Sequence, residues 1–317
     1  MADSTSSRRL VFQIFRWAVT LLALGLVVYL LVNNWPSIWD GVLQIGGGRF
    51  ALLVLLILIS RLMMSLRWYL ILRSTDEQVS YPSVLRVTFA GFFANNFMPS
   101  TIGGDVFRLT GAVLEGISTA VAAASLLMDR IVGMLGMALI LPAGLARLLA
   151  YDGEVEIKFG GGAAALAGGL LTRLKAGGGK AVTWFKKVWR KLWETLGLWA
   201  RRPLDLLPSL LATLIHQLCL YGFIWLILDA FGFQLSWWLI GGLWSLVYFV
   251  TLVPVSINGL GVQEVIIIFA YHNMGGASEA SALTLALLFR MVMMLVSLPG
   301  ALAVPALLPE ARKSKDL

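Results

Sequence analysis

Apolar residues fall into long uninterrupted blocks, at 14–32, 50–72, 84–98, 120–149, 159–171, 206–231, 237–253, 262–271 and 280–308. A helix rises about 1.5 Å per residue and the hydrocarbon core is about 30 Å thick, so a block of roughly 20 residues predicts a spanning helix. The blocks at 84–98, 159–171 and 237–253 are too short to cross comfortably. The Gly- and Ala-rich block at 159–171 is taken as a tilted or longer crossing. The other two stop at a proline followed by a glycine-rich stretch. These are Met98-Pro99-Ser100-Thr101-Ile102-Gly103-Gly104 and Val253-Pro254-Val255-Ser256-Ile257-Asn258-Gly259-Leu260-Gly261, and each resumes as a second short apolar segment.

The two breaks align at one offset of 155 residues, which pairs Pro99 with Pro254, Ile102 with Ile257 and Gly104 with Gly259. An offset near half the chain predicts an internal repeat. Interrupted segments at corresponding places of two halves are the sequence pointer to re-entrant helices meeting at a transporter's central site. Pro and Gly also kink ordinary membrane helices, and the matched offset is what favours hairpins over kinks. The expected fold is an all-α polytopic membrane protein with about six full transmembrane helices and two re-entrant helical hairpins in an inverted repeat. The whole chain, 1–317, is read as one membrane domain, with a first half at 50–149, a basic loop at 173–205 and a second half at 206–308.

Charge placement sets the expected orientation, because Lys and Arg concentrate in cytoplasmic loops. Arg8, Arg9 and Arg16 precede the first block, which ends in Asn33-Asn34-Trp35-Pro36 without a small-residue cleavage pattern, so it reads as a retained helix rather than a signal peptide. With the N-terminus inside, the first hairpin opens inward and the second outward, and both termini are cytoplasmic in a cytoplasmic (inner) membrane. Asp152, Glu154 and Glu156 then lie outside. Lys186, Lys187, Arg190, Lys191, Arg201 and Arg202 lie in the basic loop inside, and only Arg49 and Lys158 fall in outer loops. Within that loop Trp184, Phe185, Val188, Trp189, Leu192, Trp193, Leu196 and Trp199 share one helical face opposite the cations. That pattern predicts an interfacial helix on an anionic leaflet, serving as an anchor.

Composition agrees and narrows the function classes. The 317 residues are 59% apolar and 13% charged, with mean hydropathy +0.84, so little chain remains for a separate soluble catalytic domain. The formal charge of +8 follows the membrane topology and does not call for nucleic acid. Cys219 alone excludes an internal disulfide, and His216 and His272 lack the neighbours of a recognisable metal site. No cofactor is expected.

Ionisable residues deep in apolar segments are costly and usually face a cavity or a partner. They are Arg61 and Arg67 in the second block, Asp105 and Arg108 past the first break, Asp129 and Arg130 in the fourth block, Glu264 past the second break, and Arg290 in the last block. Five arginines against three carboxylates leave positive charge in excess. Guanidinium binds phosphate through paired hydrogen bonds, which points to a phosphate-bearing substrate. The substrate-binding set is Arg61, Asn95, Asp105, Arg108, Asp129, Arg130, Asn258, Glu264 and Arg290. The carboxylates could equally be structural partners of the arginines. Arg67, beside Trp68 and Tyr69, reads as snorkelling to a membrane face. Glu264 is either a proton carrier in a low-dielectric hairpin or a carboxylate held ionised by an arginine. Pro99, Gly103, Gly104, Pro254, Gly259 and Gly261 are the expected hinge positions of the two breaks.

An ordered set of residues carries a resemblance. Arg67-Trp68 with Leu70, Asn95, Pro99, Gly103-Gly104-Asp105, Arg108, Asp129-Arg130 with Gly133, Pro254, Gly259-Leu260-Gly261-Val262, Glu264 and Arg290 resemble the flippase-like transmembrane domain of bacterial lysylphosphatidylglycerol synthases, also called multiple peptide resistance factors, and its stand-alone relatives. The likeness runs from about residue 50 to 308. It implies a polytopic fold with two re-entrant regions and movement of phospholipid or polyprenyl-phosphate-type lipids. The aminoacyl-transferase domain that follows in the synthases has no counterpart in these residues, so this chain is not expected to make lysyl lipids.

The resulting expectation is a lipid flippase, not an enzyme, whose partners are membrane lipids with anionic headgroups. A homo-oligomer is compatible with it. A membrane-embedded enzyme acting on a lipid phosphate, and a scaffold working through the basic loop, are the alternatives. No nucleophile or nucleotide motif accompanies the carboxylates as the enzyme reading requires.

Overall fold

A computed structural model describes Val32 and residues 35–75, 77–96, 103–150, 203–252 and 261–304. The expected crossings at 14–32 and 159–171, nearly all of the basic loop with its amphipathic helix at 184–199, and Pro99, Pro254, Asn258 and Gly259 lie outside the described residues.

Among the described residues every regular element is helical. Helix α1 covers Trp35–Arg73, α2 Tyr81–Asn95, α3 Gly103–Leu114 and α4 Thr119–Leu149. After a 3₁₀ turn at Pro203–Leu206 come α5, Leu207–Ala230; α6, Trp237–Thr251; α7, Val262–Ile268, which runs into a π turn at Phe269–Met274; and α8, Glu279–Ser297, which ends in a 3₁₀ turn at Leu298–Leu302. Leu43–Arg73, Thr119–Leu149, Leu207–Ala230 and Glu279–Leu302 are long and apolar enough to cross a membrane. Helix α1 begins well before the expected start at residue 50 and contains a kink at Gly46, whose φ of 69° suits only a residue without Cβ. Arg49, expected in a loop, therefore lies within the helix, with its guanidinium 3.6 Å from Asp229 of α5.

The order long, short, short, long occurs in α1–α4 and again in α5–α8. Matching serines start corresponding helices: Ser80 caps α2 and Ser236 caps α6, while Ser118 caps α4 and Ser278 caps α8, each hydroxyl accepting an N–H from three residues on. The short helices pack in pairs, the first of them antiparallel. Gly91 lies against Gly104 and Val87 against Gly111 in the first, and the Tyr271 hydroxyl donates to the Ile240 carbonyl at 2.9 Å in the second. At 15 and 12 residues, α2 and α3 measure about 22 and 18 Å, so neither can span the hydrocarbon alone.

The halves interlock. Helix α1 runs antiparallel along α5, with Ser60 against His216, Leu56 against Gly222 and Arg49 against Asp229. Helix α4 crosses α6 where Gly144 meets Gly242, so closely that a Cβ on either would overlap the other's backbone. The reciprocal contact between the halves brings Gly300, past the end of α8, against the Phe89 carbonyl of α2 in the same way. Small residues that allow backbones to touch are the usual means of packing helices in lipid, where no hydrophobic gain is available between them. The larger apolar core joins α5–α8 to the start of α1 through Phe223, Ile224, Ile227, Ile240, Tyr271 and Val292. A smaller one holds Trp68, Leu72, Val84, Val87, Ala112 and Leu126. Between the two lies the polar centre.

Candidate functional site

A cavity of about 350 Å³ opens between the halves, lined by residues of α1–α6 and α8 and by Gln263 of α7. Its first wall is built on Asp129 of α4, whose side chain is 3% exposed. Arg67 Nε donates to Asp129 Oδ1 at 2.6 Å and Arg108 Nη2 donates to Oδ2 at 3.0 Å. The Arg108 guanidinium also donates to Asp105 Oδ1 at 3.2 Å and lies 4.3 Å over the Trp68 ring. Trp68 is itself fixed by donating its Nε1 hydrogen to Ser125 Oγ at 3.0 Å. Arg130 Nε donates to Asp105 Oδ2 at 2.7 Å. The result is an unbroken chain, Arg67, Asp129, Arg108, Asp105, Arg130, that ties α1, α3 and α4 together.

The second wall repeats one link of it. Arg290 of α8 donates from Nε to Glu264 Oε1 and from Nη2 to Gln263 Oε1 at 3.2 Å. Asp105 and Glu264 are each the third residue of their short helix, and Arg130 and Arg290 each the twelfth residue of the long helix that follows. An acid–guanidinium pair thus stands at the same structural place in each half. Arg61 differs. Among the described residues no carboxylate reaches it; its guanidinium contacts Met293 Sδ at 2.7 Å and Met64 Sδ at 3.5 Å and lies 4.3 Å over the Phe92 ring, while its buried Nε has no partner.

The structure brings Arg61, Asn95, Asp105, Arg108, Asp129, Arg130 and Arg290 to the cavity. Glu264 does not line it and stands behind Arg290, whose guanidinium it accepts from. Gly104 lines the cavity where α2 and α3 nearly touch, its amide donating to Asn95 Oδ1 at 3.4 Å; Gly103 begins α3, and Gly261, with φ of 76°, caps α7. The snorkelling assigned to Arg67 is wrong: the residue is 5% exposed and its head lies on Asp129, because a buried carboxylate satisfies a guanidinium better than the nearby aromatic side chains suggested. Gly133 of α4 leaves the room this requires, since a Cβ there would stand 3.0 Å from Arg67 Nη1.

Several site residues escaped the sequence reading, notably His216 and Gln217 on α5, Tyr248 on α6 and Asn96 after α2. His216 was weighed only as a metal ligand; its Nδ1 instead lies 2.7 Å from Ser60 Oγ. Two adjacent polar residues inside the block 206–231 were the available signal, since polar groups in a span face partners or cavities. Among the described residues no group of three His, Cys, Asp or Glu could hold a metal ion. The arrangement is suited to holding an anion among fixed guanidiniums.

No curated protein matches the chain closely. The family described as "Lysylphosphatidylglycerol synthase TM region" matches residues 14–300, nearly the full length. With its spanning helices and that match, the chain is a multi-pass membrane protein and belongs to the lysylphosphatidylglycerol synthase transmembrane-region family.

Proposed function

We propose that the protein is a lipid transporter that moves an anionic phospholipid or polyprenyl-phosphate-type lipid across the cytoplasmic membrane. The observation that carries this reading is the convergence of five arginines and two carboxylates, drawn from both halves, on one cavity, with Glu264 behind Arg290 as its partner. At about 350 Å³ the cavity is at the small end of ligand pockets, room for a headgroup while the acyl chains stay in the bilayer. The halves act as inverted copies and the short helical pairs as re-entrant hairpins, so that rocking about the breaks exposes the headgroup first to one side and then to the other. Both termini are cytoplasmic. The carboxylates serve to position arginines rather than to carry out chemistry, since each is held by at least one guanidinium.

The test is movement of fluorescent reporter lipids in liposomes containing the purified protein, beside Arg130→Gln and Glu264→Gln variants that elute as folded protein. Headgroup-selective movement that falls in both variants is expected. Movement that ignores the headgroup, or that both variants retain in full, would contradict the reading.

A further inference from the structure

Charge is unevenly distributed around the cavity. The chain Arg67, Asp129, Arg108, Asp105, Arg130 places three guanidiniums on two carboxylates and keeps one positive charge over. Glu264 and Arg290 cancel each other. Arg61, seated on two sulfurs and a phenyl ring with no carboxylate among the described residues, adds a second surplus charge. The breaks at 97–102 and 253–260 contain no ionisable side chain. Uncompensated charge away from water is costly unless an opposite charge arrives.

Hydrogen-bonding capacity is unbalanced in the same sense. Arg61 Nε, Arg108 Nε and Gln217 Nε2 are buried, belong to lining residues and have no acceptor. The unpartnered acceptor Glu264 Oε2 belongs to a residue that does not line the cavity. Among the described residues the lining of the cavity therefore falls short of acceptors by about three atoms and of negative charge by about two charges.

We propose that this site selects a doubly charged phosphomonoester headgroup over a singly charged phosphodiester. The proposal rests on the transport reading above and specifies its substrate class. A monoester carries a charge of about −1.5 to −2 at neutral pH and three strong acceptor oxygens. A diester carries half that charge on two free oxygens and leaves one guanidinium uncompensated. Arg61 is the residue that separates them, because among the described residues of the cavity it is the arginine that no carboxylate reaches.

The experiment uses the full chain in liposomes with three reporter lipids that share acyl chains: a phosphatidic acid, a phosphatidylglycerol and a phosphatidylcholine. The monoester is expected to move about tenfold faster than the diester, the effect of one charge-assisted hydrogen bond. In Arg61→Gln that preference should disappear. Arg61→Lys keeps the charge and should keep the preference at a lower rate, and it serves if the glutamine variant does not fold. Equal movement of monoester and diester in the wild-type protein overturns the assignment and leaves transport standing, whereas movement of no lipid overturns both. Inorganic phosphate is added in a parallel arm. Its uptake into the liposomes without lipid movement overturns the lipid as the source of the phosphate, and lipid movement that persists in its excess supports it.

Discussion

Asp129 is the residue on which the polar centre depends, and replacing it by asparagine gives the sharpest test of that centre's energetics. Asn keeps the shape and removes the charge. The side chains of Arg67 and Arg108 are only 6% and 7% exposed, so water reaches little of either guanidinium in place of the lost carboxylate. Arg108 retains Asp105 at 3.2 Å, whereas the contact described for Arg67 is with Asp129. Stranding one buried partner of an ion pair costs about 3–5 kcal/mol, while replacing both by apolar groups is often close to neutral. Asp129→Asn should therefore lower unfolding stability by about 3–5 kcal/mol. Adding Arg67→Met should restore about 2 kcal/mol of this, a coupling of the size expected for residues in contact. Denaturant titration in mixed micelles, followed by tryptophan fluorescence, measures both. A loss below about 1 kcal/mol for Asp129→Asn, or a double variant no better than the sum of the two singles, would refute the reasoning.

Other variants separate structural from functional roles. Arg61→Met matches its surroundings of Met64, Met293 and Phe92, so it should leave thermal stability equal or higher while removing the preference for the monoester lipid; a lower melting temperature would assign Arg61 a structural role. Gly144→Ala should cost about 1–3 kcal/mol by forcing α4 away from Gly242. Gly47→Ala, with open space around it, should instead raise stability by up to about 1 kcal/mol, and equal effects at the two positions would contradict the packing described. Arg49→Ala removes a pair whose side chains are 46% and 29% exposed, and a change above about 1 kcal/mol in the same titration would be unexpected.

Much of the site was legible in the sequence because charge within a span is expensive and so stands out. Arg61, Asp105, Arg108, Asp129, Arg130 and Arg290 were all identified on that ground, and they line one cavity. The spans at 120–149 and 206–231 agree within a residue with α4 and α5, since a helix surrounded by lipid is bounded by where its apolar run stops. The start of α1 was not legible: Gly46-Gly47-Gly48 looks like a loop, whereas the helix continues through it with a kink at Gly46. Arg67 was misjudged because local neighbours, Trp68 and Tyr69, suggest an interface, whereas its partner is 62 residues away. The same distance problem hid His216 and Gln217, whose role depends on α1 and α4 lying alongside α5.

The central claim is that a lipid phosphate occupies the cavity between the two halves during transit. Density for the protein in nanodiscs that contain a phosphatidic acid measures this most directly. The account predicts a phosphate within hydrogen-bond distance of Arg61 Nε, with Arg108 and Gln217 beside it and the acyl chains leaving the cavity toward the bilayer. Phosphate confined to the membrane surfaces, with only water among the arginines, would contradict it.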